Sequence, residues 1–506
     1  MKTDILILGG GLSGFCAAWE IVKHSDLSVD LLAWGGGASP YIHGFCLPVG
    51  EGDSEELFYR DSIGSGYGQA DPRLVRRLCR DSLLLPDYFA ELGLSVDAGR
   101  IQSLGSSVPR IAGIGNNTGP VMLNVLRKKL EASGRFRLHR NFRALELIKQ
   151  EEAVVGARCY DKESDTFQTV YAGAVILATG GFGRLFPEST NSPDIGGDGC
   201  AMAYLAGCRL TDMEFIQFEP SAAVWPEALA GRSIITTMFY EGAVLRNGKG
   251  ERFMQEQVGK DIQAKAIAAQ IRNGNATPHG GVWFDATAVP QTMWDGIYKP
   301  YRDRYLAHGI DMCKEPVEIA PAAHTTCGGV YIDEDCRTGV PGLIACGEVT
   351  GGLHGANRLG GNAGLETMVF GRIAGRTALH SYRPCTKAGE VPVQNRKPSV
   401  DLAPIRNKLA RILRTKLGVI RTEGELEEGV GEIDALRLQL PDHENCYELQ
   451  RLYNDLLTAK IAMASALYRK GSVGCHHRAD QEQEDRSYRI LIKNTQDGFT
   501  LSEEPV

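Results

Sequence analysis

The sequence predicts an α/β protein built around a Rossmann-like dinucleotide-binding domain. Residues 4–8 form an apolar strand that leads into a glycine-rich turn and then a helical run over 15–23. This strand-turn-helix order is the context in which a G-x-G-x-x-G motif binds a dinucleotide. Further apolar strands at 174–178 and 342–346 end in glycine, which is typical of a strand that a ligand approaches closely.

The first glycine motif predicts a phosphate site. Gly9 makes the turn, Gly11 admits the pyrophosphate and Gly14 lets the helix touch the strand. The motif alone does not distinguish NAD from FAD. The cofactor contacts predicted from it are Gly9, Gly11, Leu12, Ser13 and Gly14.

The second strand, 29–33, departs from the usual dinucleotide pattern. It is followed by Trp34, where an acidic residue normally binds the ribose hydroxyls. The usual ribose contact is therefore not expected.

The later strands add cofactor contacts. After the strand at 342–346, Glu348 offers a carboxylate that can bind the hydroxyls of a ribityl chain. The contacts predicted here are Ala178, Thr179, Gly180, Asp198, Gly347 and Glu348.

The segment 353–366 predicts an anion site beside the cofactor. It places Arg358 next to small residues that open a helix predicted over 365–378, where unpaired N–H groups attract anions. An arginine is always charged and its fork matches a carboxylate. The predicted cofactor contacts are Asn362, Ala363, Gly364 and Leu365, and the predicted substrate contacts are His354, Arg358 and Gly361.

Taken in order, these segments resemble the succinate dehydrogenase and fumarate reductase flavoprotein family, which includes L-aspartate oxidase. The blocks 212–218, 250–253, 323–329 and 475–480 carry the resemblance across most of the chain. It implies an FAD cofactor. The covalent flavin histidine of the respiratory members would fall near Ala38 and Ser39, where this chain has no histidine, so we expect non-covalent FAD with contacts at these two residues.

The family also implies roles at the reacting centre. Arg358 matches the arginine that anchors a substrate carboxylate, and His324 matches the histidine that assists it. Thr326 lies in the same block and is a predicted substrate contact.

Two departures alter that site. Glu219 stands where the family usually has a carboxylate-binding histidine, so an anion there would repel a second substrate carboxylate unless Glu219 were protonated. It would suit an ammonium, an imidazole or a hydroxyl, or serve as an acid or base. Lys260 stands at the catalytic-arginine position, just ahead of a helix whose positive end favours proton donation; an exposed lysine in a first helical turn is the alternative.

The motifs also divide the chain. The predicted fold is a Rossmann-like FAD-binding domain with an inserted α+β capping domain and a C-terminal helical domain. The expected segments are 1–222 and 322–395 for the FAD-binding domain, 223–321 for the capping domain and 396–506 for the helical domain.

Composition limits the function classes. The 506 residues carry a net charge of −7, which gives no general attraction to nucleic acid. The 13 cysteines include no C-x-x-C pair, so reduced thiols are expected and no metal site is predicted. No leader or apolar run of membrane-spanning length is present, and a cytoplasmic protein without membrane insertion is expected.

The leading hypothesis is an FAD-dependent oxidoreductase that reduces, or in reverse introduces, a C=C bond near a carboxylate. Its small-molecule substrate is expected not to be a simple dicarboxylate. An amino acid oxidase resembling L-aspartate oxidase is the first alternative. The second is a flavin-binding electron-transfer subunit with an altered active site that works with a separate electron-transfer protein.

Overall fold

The computed structural model describes residues 1–115, 117–387, 389–441, 445–483, 486–496 and 498–506. The strands are β1 Lys2–Leu8, β2 Val29–Ala33, β3 Phe45–Cys46, β4 Ile111–Ala112, β5 Phe136–Arg140, β6 Phe142–Gln150, β7 Ala153–Asp161, β8 Thr166–Leu177, β9 Leu210–Thr211, β10 Ile216–Ala223, β11 Val244–Arg246, β12 Val282–Asp285, β13 Val317–Thr326, β14 Gly329–Val330, β15 Leu343–Ala345, β16 Val393–Gln394, β17 Ile420–Arg421, β18 His477–Arg478, β19 Tyr488–Thr495 and β20 Gly498–Pro505.

The helices of the described chain are α1 Leu12–His24, α2 Glu55–Ser65, α3 Pro72–Ser82, α4 Leu85–Leu92, α5 Thr118–Ala132, α6 Asp198–Ala206, α7 Lys260–Arg272, α8 Gln291–Asp295, α9 Lys299–Leu306, α10 Asn362–Ser381, α11 Ala403–Lys416, α12 Glu423–Arg437 and α13 Tyr447–Tyr468. Short 3-10 helices cover Ser39–Tyr41, Gly183–Leu185, Glu227–Leu229 and Thr236–Glu241.

A largely parallel sheet organises the first domain, as predicted. Its order is β5-β2-β1-β8-β7-β6, and β15 pairs in parallel with β8. The strands β5, β2, β1 and β8 run parallel to one another. Ile5 to Leu8 are at most 1% exposed, because both faces of such a sheet are covered by helices. The carboxyl ends of these strands therefore meet at one edge, where α/β proteins bind ligands.

Helices α1 and α10 cross at close range against this sheet. A Cβ added at Gly371 would lie 2.6 Å from the Ser13 carbonyl oxygen, and one at Gly375 would lie 2.5 Å from the Ala17 carbonyl oxygen. Glycine on α10 thus lets the two backbones touch. This contact holds the start of α10 near the first glycine turn.

A second sheet forms the inserted segment. Its order is β10-β13-β12-β11, all antiparallel, and it has a core of its own that includes Phe284 and Trp294. The segment boundaries expected at 222/223 and 321/322 fall inside β10 and β13. These two strands therefore pass continuously from the first domain into the insertion.

The C-terminal region contains the expected helices and one feature that the sequence pattern did not indicate. Helices α11 to α13 bury apolar residues such as Leu409 and Leu456. The hairpin β19–β20 follows, and β19 pairs with β9 of the first domain. Only Ile490, Leu491 and Ile492 form an apolar run in β19, which is too short to separate from a helical or loop segment by periodicity.

All cysteines are free thiols, and all but Cys313 and Cys385 are buried. Across the described residues, no helix combines the length and the apolar character needed to cross a bilayer.

Substituting Gly371 with alanine tests the α1–α10 contact. We expect Gly371→Ala to lower the free energy of unfolding by about 1–3 kcal/mol, because the new methyl group overpacks against backbone. A thermal melt measures the change. The matched control is Gly431→Ala on α12, where an added Cβ meets nothing within 4 Å; it should raise stability by up to about 1 kcal/mol through helix propensity. A Gly371→Ala protein that melts at or above the wild-type temperature would contradict the contact.

Candidate functional site

A cavity opens at the carboxyl ends of β1, β2 and β8. Much of its lining was predicted from the sequence to bind the cofactor. The predicted residues that line it are Gly9, Gly11, Ser13, Ala38, Ser39, Ala178, Thr179, Gly180, Asp198, Glu348 and Ala363. The structure therefore brings together residues from distant glycine motifs in one space.

The other predicted cofactor residues lie beside the cavity and shape it. The Leu12 N–H donates to Ser39 Oγ at 2.7 Å. A Cβ added at Gly14 would lie 2.5 Å from the Gly9 carbonyl oxygen, which explains the absence of a side chain. Gly347 has a left-handed φ of 75°. Asn362, Gly364 and Leu365 form the buried first turn of α10.

The polar groups around the cavity fit a flavin dinucleotide. The hydroxyl oxygen of Thr179, that of Thr326 and the amide oxygen of Asn362 are buried without a hydrogen-bond partner within the protein. Buried polar atoms usually have partners, so these three indicate a ligand with its own polar groups. The glycines leave room for a phosphate chain against the backbone. FAD would supply such groups.

One end of the cavity was not predicted. Trp34 lines it and stacks on Tyr447 of α13, with ring centroids 5.5 Å apart. Arg143 also lines it, and its Nη2 lies 2.6 Å from Asp198 Oδ2. The sequence indicated Trp34 only as a missing acidic residue. Nothing in the local pattern indicated its stacking partner 413 positions away.

Glu348 forms the wall between this cavity and Thr326. The Thr326 N–H donates to Glu348 Oε1 at 3.1 Å. Loss of hydration raises the pKa of Glu348 to about 7, with a further contribution from the neighbouring Glu366. Near neutral pH this carboxyl group is therefore close to half protonated in the cofactor-free protein.

Four residues predicted to be catalytic form a separate charged cluster, which we define as Glu219, Lys260, His324 and Arg358. Lys260 Nζ lies 2.5 Å from Glu219 Oε2, and His324 Nε2 lies 3.9 Å from the same oxygen. Lys260 is the first residue of α7, as expected. The two departures from the family pattern therefore contact each other.

Glu219 is the anion of the cluster. Its side chain is 2% exposed. Burial acts to raise its pKa, but the charge of Lys260, together with His324 and hydrogen bonds from Lys260 and Ser221, lowers the pKa below its usual value. The carboxylate is ionised at neutral pH. Ser221, two residues along β10, was missed from the sequence, although the alternation of a strand places it on the same face.

His324 is the neutral member. Its Nδ1 hydrogen-bonds to Thr190 Oγ1 at 2.7 Å. Loss of hydration, and then the positive charges of Lys260 and Arg358, lower its pKa to about 3. The imidazole is therefore uncharged across the physiological range. No sequence pattern indicated Thr190.

Arg358 is the buried cation. It is 8% exposed, its Nη1 donates to the Leu359 carbonyl oxygen at 3.2 Å, and its Nε has no hydrogen-bond partner. Gln217 Nε2 donates to the Arg358 carbonyl oxygen at 2.9 Å and so ties this segment to β10. Among the described residues, no carboxylate forms an ion pair with Arg358. A buried guanidinium in this state suits an anionic ligand.

The two remaining predicted substrate residues lie beside the cluster. His354 Nε2 is 3.0 Å from Glu366 Oε2, and both side chains are buried. Gly361 precedes α10 with a φ of 89°. Both fix the backbone around Arg358, and their contact with a substrate stays a prediction.

Comparisons with known proteins agree with this geometry. Residues 4–363 match the FAD binding domain family, and residues 406–506 match the fumarate reductase flavoprotein C-terminal family. The chain is 32% identical to the flavoprotein component of the CoM/CoB fumarate reductase of Methanothermobacter marburgensis, with 95% of this chain and 94% of that protein covered.

Two further proteins are similar over nearly the whole chain. L-aspartate oxidase of Streptomyces coelicolor is 32% identical, with 97% of this chain and 90% of that protein covered. The solved structure of Mycobacterium smegmatis Sdh1 in complex with UQ1 is 26% identical with a TM-score of 0.86, and the match covers 100% of this chain and 94% of that one.

Replacing Glu348 with glutamine tests the wall of the cavity. The folded-state pKa of Glu348, about 7, lies above its ordinary value of 4.5, so its stabilising contribution is full below about pH 4.5 and is lost as the pH rises through 7. Between about pH 5 and pH 8, Glu348→Gln should gain about 2 kcal/mol relative to wild type. Urea unfolding of the FAD-free proteins measures this difference, and a difference that does not change with pH would contradict the assignment.

Proposed function

This chain belongs to the succinate dehydrogenase and fumarate reductase family of FAD-dependent flavoproteins, and we propose that it reduces, or in reverse introduces, a C=C bond beside a carboxylate. The observation that carries the proposal is the buried Arg358 guanidinium, whose Nε has no partner within the protein. A substrate carboxylate would occupy that fork. FAD, held non-covalently in the adjacent cavity, supplies the hydride equivalent for one carbon of the double bond.

The charged cluster then divides the remaining work. Lys260 donates a proton to the other carbon, so that one hydride and one proton complete the two-electron reduction. Its ammonium group has three N–H bonds, of which Glu219 accepts one. The neutral imidazole of His324, held by Thr190, hydrogen-bonds the substrate without adding charge. The lost proton returns to Lys260, which is 24% exposed, from solvent.

Electrons reach the FAD, in this proposal, from a separate electron-transfer protein. The support is that the Methanothermobacter marburgensis relative is named as one subunit of its enzyme. Small-molecule enoates are the proposed acceptors.

Arg358→Ala tests the anchoring role. We expect kcat/KM for an enoate to fall about a hundredfold, because two charge-assisted hydrogen bonds to the carboxylate are lost. The measurement is the reoxidation of chemically reduced FAD by a panel of α,β-unsaturated carboxylates under anaerobic conditions. The matched control is Arg60→Ala, which removes a side chain that is 69% exposed and should leave the rate unchanged.

Two outcomes would contradict the proposal. Wild-type protein whose reduced flavin is reoxidised by no member of the panel would exclude the reaction. Equal rates for wild type and Arg358→Ala would exclude the anchor.

An amino acid oxidase is the second candidate, favoured by the 32% identity to L-aspartate oxidase over nearly the whole chain. In that reaction an amino acid would reduce the flavin and oxygen would take the electrons. Release of hydrogen peroxide on addition of amino acids, with no reoxidation by enoates, would support it over the leading proposal.

A further inference from the structure

The charges in the cluster leave only part of its positive charge for a substrate. Glu219 and Lys260 lie 2.5 Å apart, and the carboxylate is ionised. Their opposite charges therefore cancel locally. In the sequence the two positions are separate departures from the family pattern, whereas the structure makes them one neutral pair.

Both oxygens of Glu219 are already engaged. Oε2 accepts from Lys260, and Oε1 lies 3.0 Å from Ser221 Oγ. A substrate ammonium would have to displace Lys260 or sit beside it, and like charges at short range repel. The pair therefore does not present a free anion to a cationic substrate group, contrary to the expectation from sequence.

The other two members complete the count. His324 adds no charge, because its pKa lies far below neutral. Arg358 is cationic and has no ion-pair partner among the described residues. The remaining acidic groups nearby, Glu348 and Glu366, line the FAD cavity, and Glu366 is paired with His354. One cation is thus left for a ligand.

We propose that the pocket selects a singly charged α,β-unsaturated monocarboxylate whose other end is uncharged and polar. This inference rests on the proposed function and names its substrate class. Arg358 binds the carboxylate, and the Glu219–Lys260 pair faces a hydroxyl or carbonyl group, to which it offers an acceptor and a donor. Glu219 is the residue that sets this selectivity, since without it Lys260 would bind a second carboxylate.

Equilibrium titration of the oxidised, FAD-loaded protein tests the proposal without turnover. Ligand binding is read from the change in flavin absorbance. The probes are crotonate, γ-hydroxycrotonate, γ-aminocrotonate and fumarate, which share a four-carbon enoate and differ at the far end. Wild type should bind γ-hydroxycrotonate and crotonate about tenfold or more tighter than fumarate or γ-aminocrotonate.

The variants locate the cause. Glu219→Gln should strengthen fumarate binding about tenfold relative to crotonate, because Lys260 becomes a second free cation. Glu219→Gln with Lys260→Met should lose that gain. Glu227→Gln, which removes an exposed carboxylate on the same inserted segment, should leave the ratio at its wild-type value.

Three outcomes would overturn the proposal: wild type binding fumarate as tightly as crotonate, Glu219→Gln leaving the ratio unchanged, or no ligand perturbing the flavin. The wild-type ratio needs no variant, so a misfolded variant leaves the test intact. Because binding is measured without reduction, a protein that prefers monocarboxylates but fails to reduce them would refute the reaction and keep the selectivity.

Discussion

The ion pair between Glu219 and Lys260 is the interaction on which the rest of the site depends. It joins β10 to the first residue of α7 in the inserted segment, and it is nearly closed to solvent on the Glu219 side. A buried carboxylate without a partner would be costly. Lys260 makes this carboxylate tolerable, and Glu219 in turn neutralises the lysine, so each substitution explains the other.

The pair also defines how charge is distributed around the flavin cavity. Arg358 remains as a cation with an open hydrogen-bonding fork, while His324 is neutral beside it. The FAD cavity itself carries its polar surface on Thr179, Glu348 and the glycine turn. Cofactor binding and substrate charge selection therefore use different residues of adjoining spaces, and a change in one need not disturb the other.

The fold and the cofactor cavity follow largely from local sequence. Strands such as β1 end in glycine for reasons of backbone approach, so the motif, the turn and the cavity are found together along a few residues. The family resemblance, the Rossmann-like fold and FAD as cofactor are confirmed. Individual site roles are still predictions, although the four catalytic candidates do form one cluster.

The remainder depends on tertiary contacts that no local pattern carries. Lys260 and Glu219 are 41 positions apart, and only the packing of α7 against β10 brings them together. Trp34 meets Tyr447 across most of the chain. The hairpin β19–β20 depends on pairing with β9 rather than on its own apolar run.

Arg358 is the one cation that the cluster leaves free for a ligand. A crystal structure of the FAD-loaded protein with bound crotonate tests this most directly. We predict that the crotonate carboxylate lies on the Arg358 guanidinium, with the contact between Glu219 and Lys260 unbroken. A carboxylate bound to Lys260, with Glu219 turned away from the ammonium group, would contradict it.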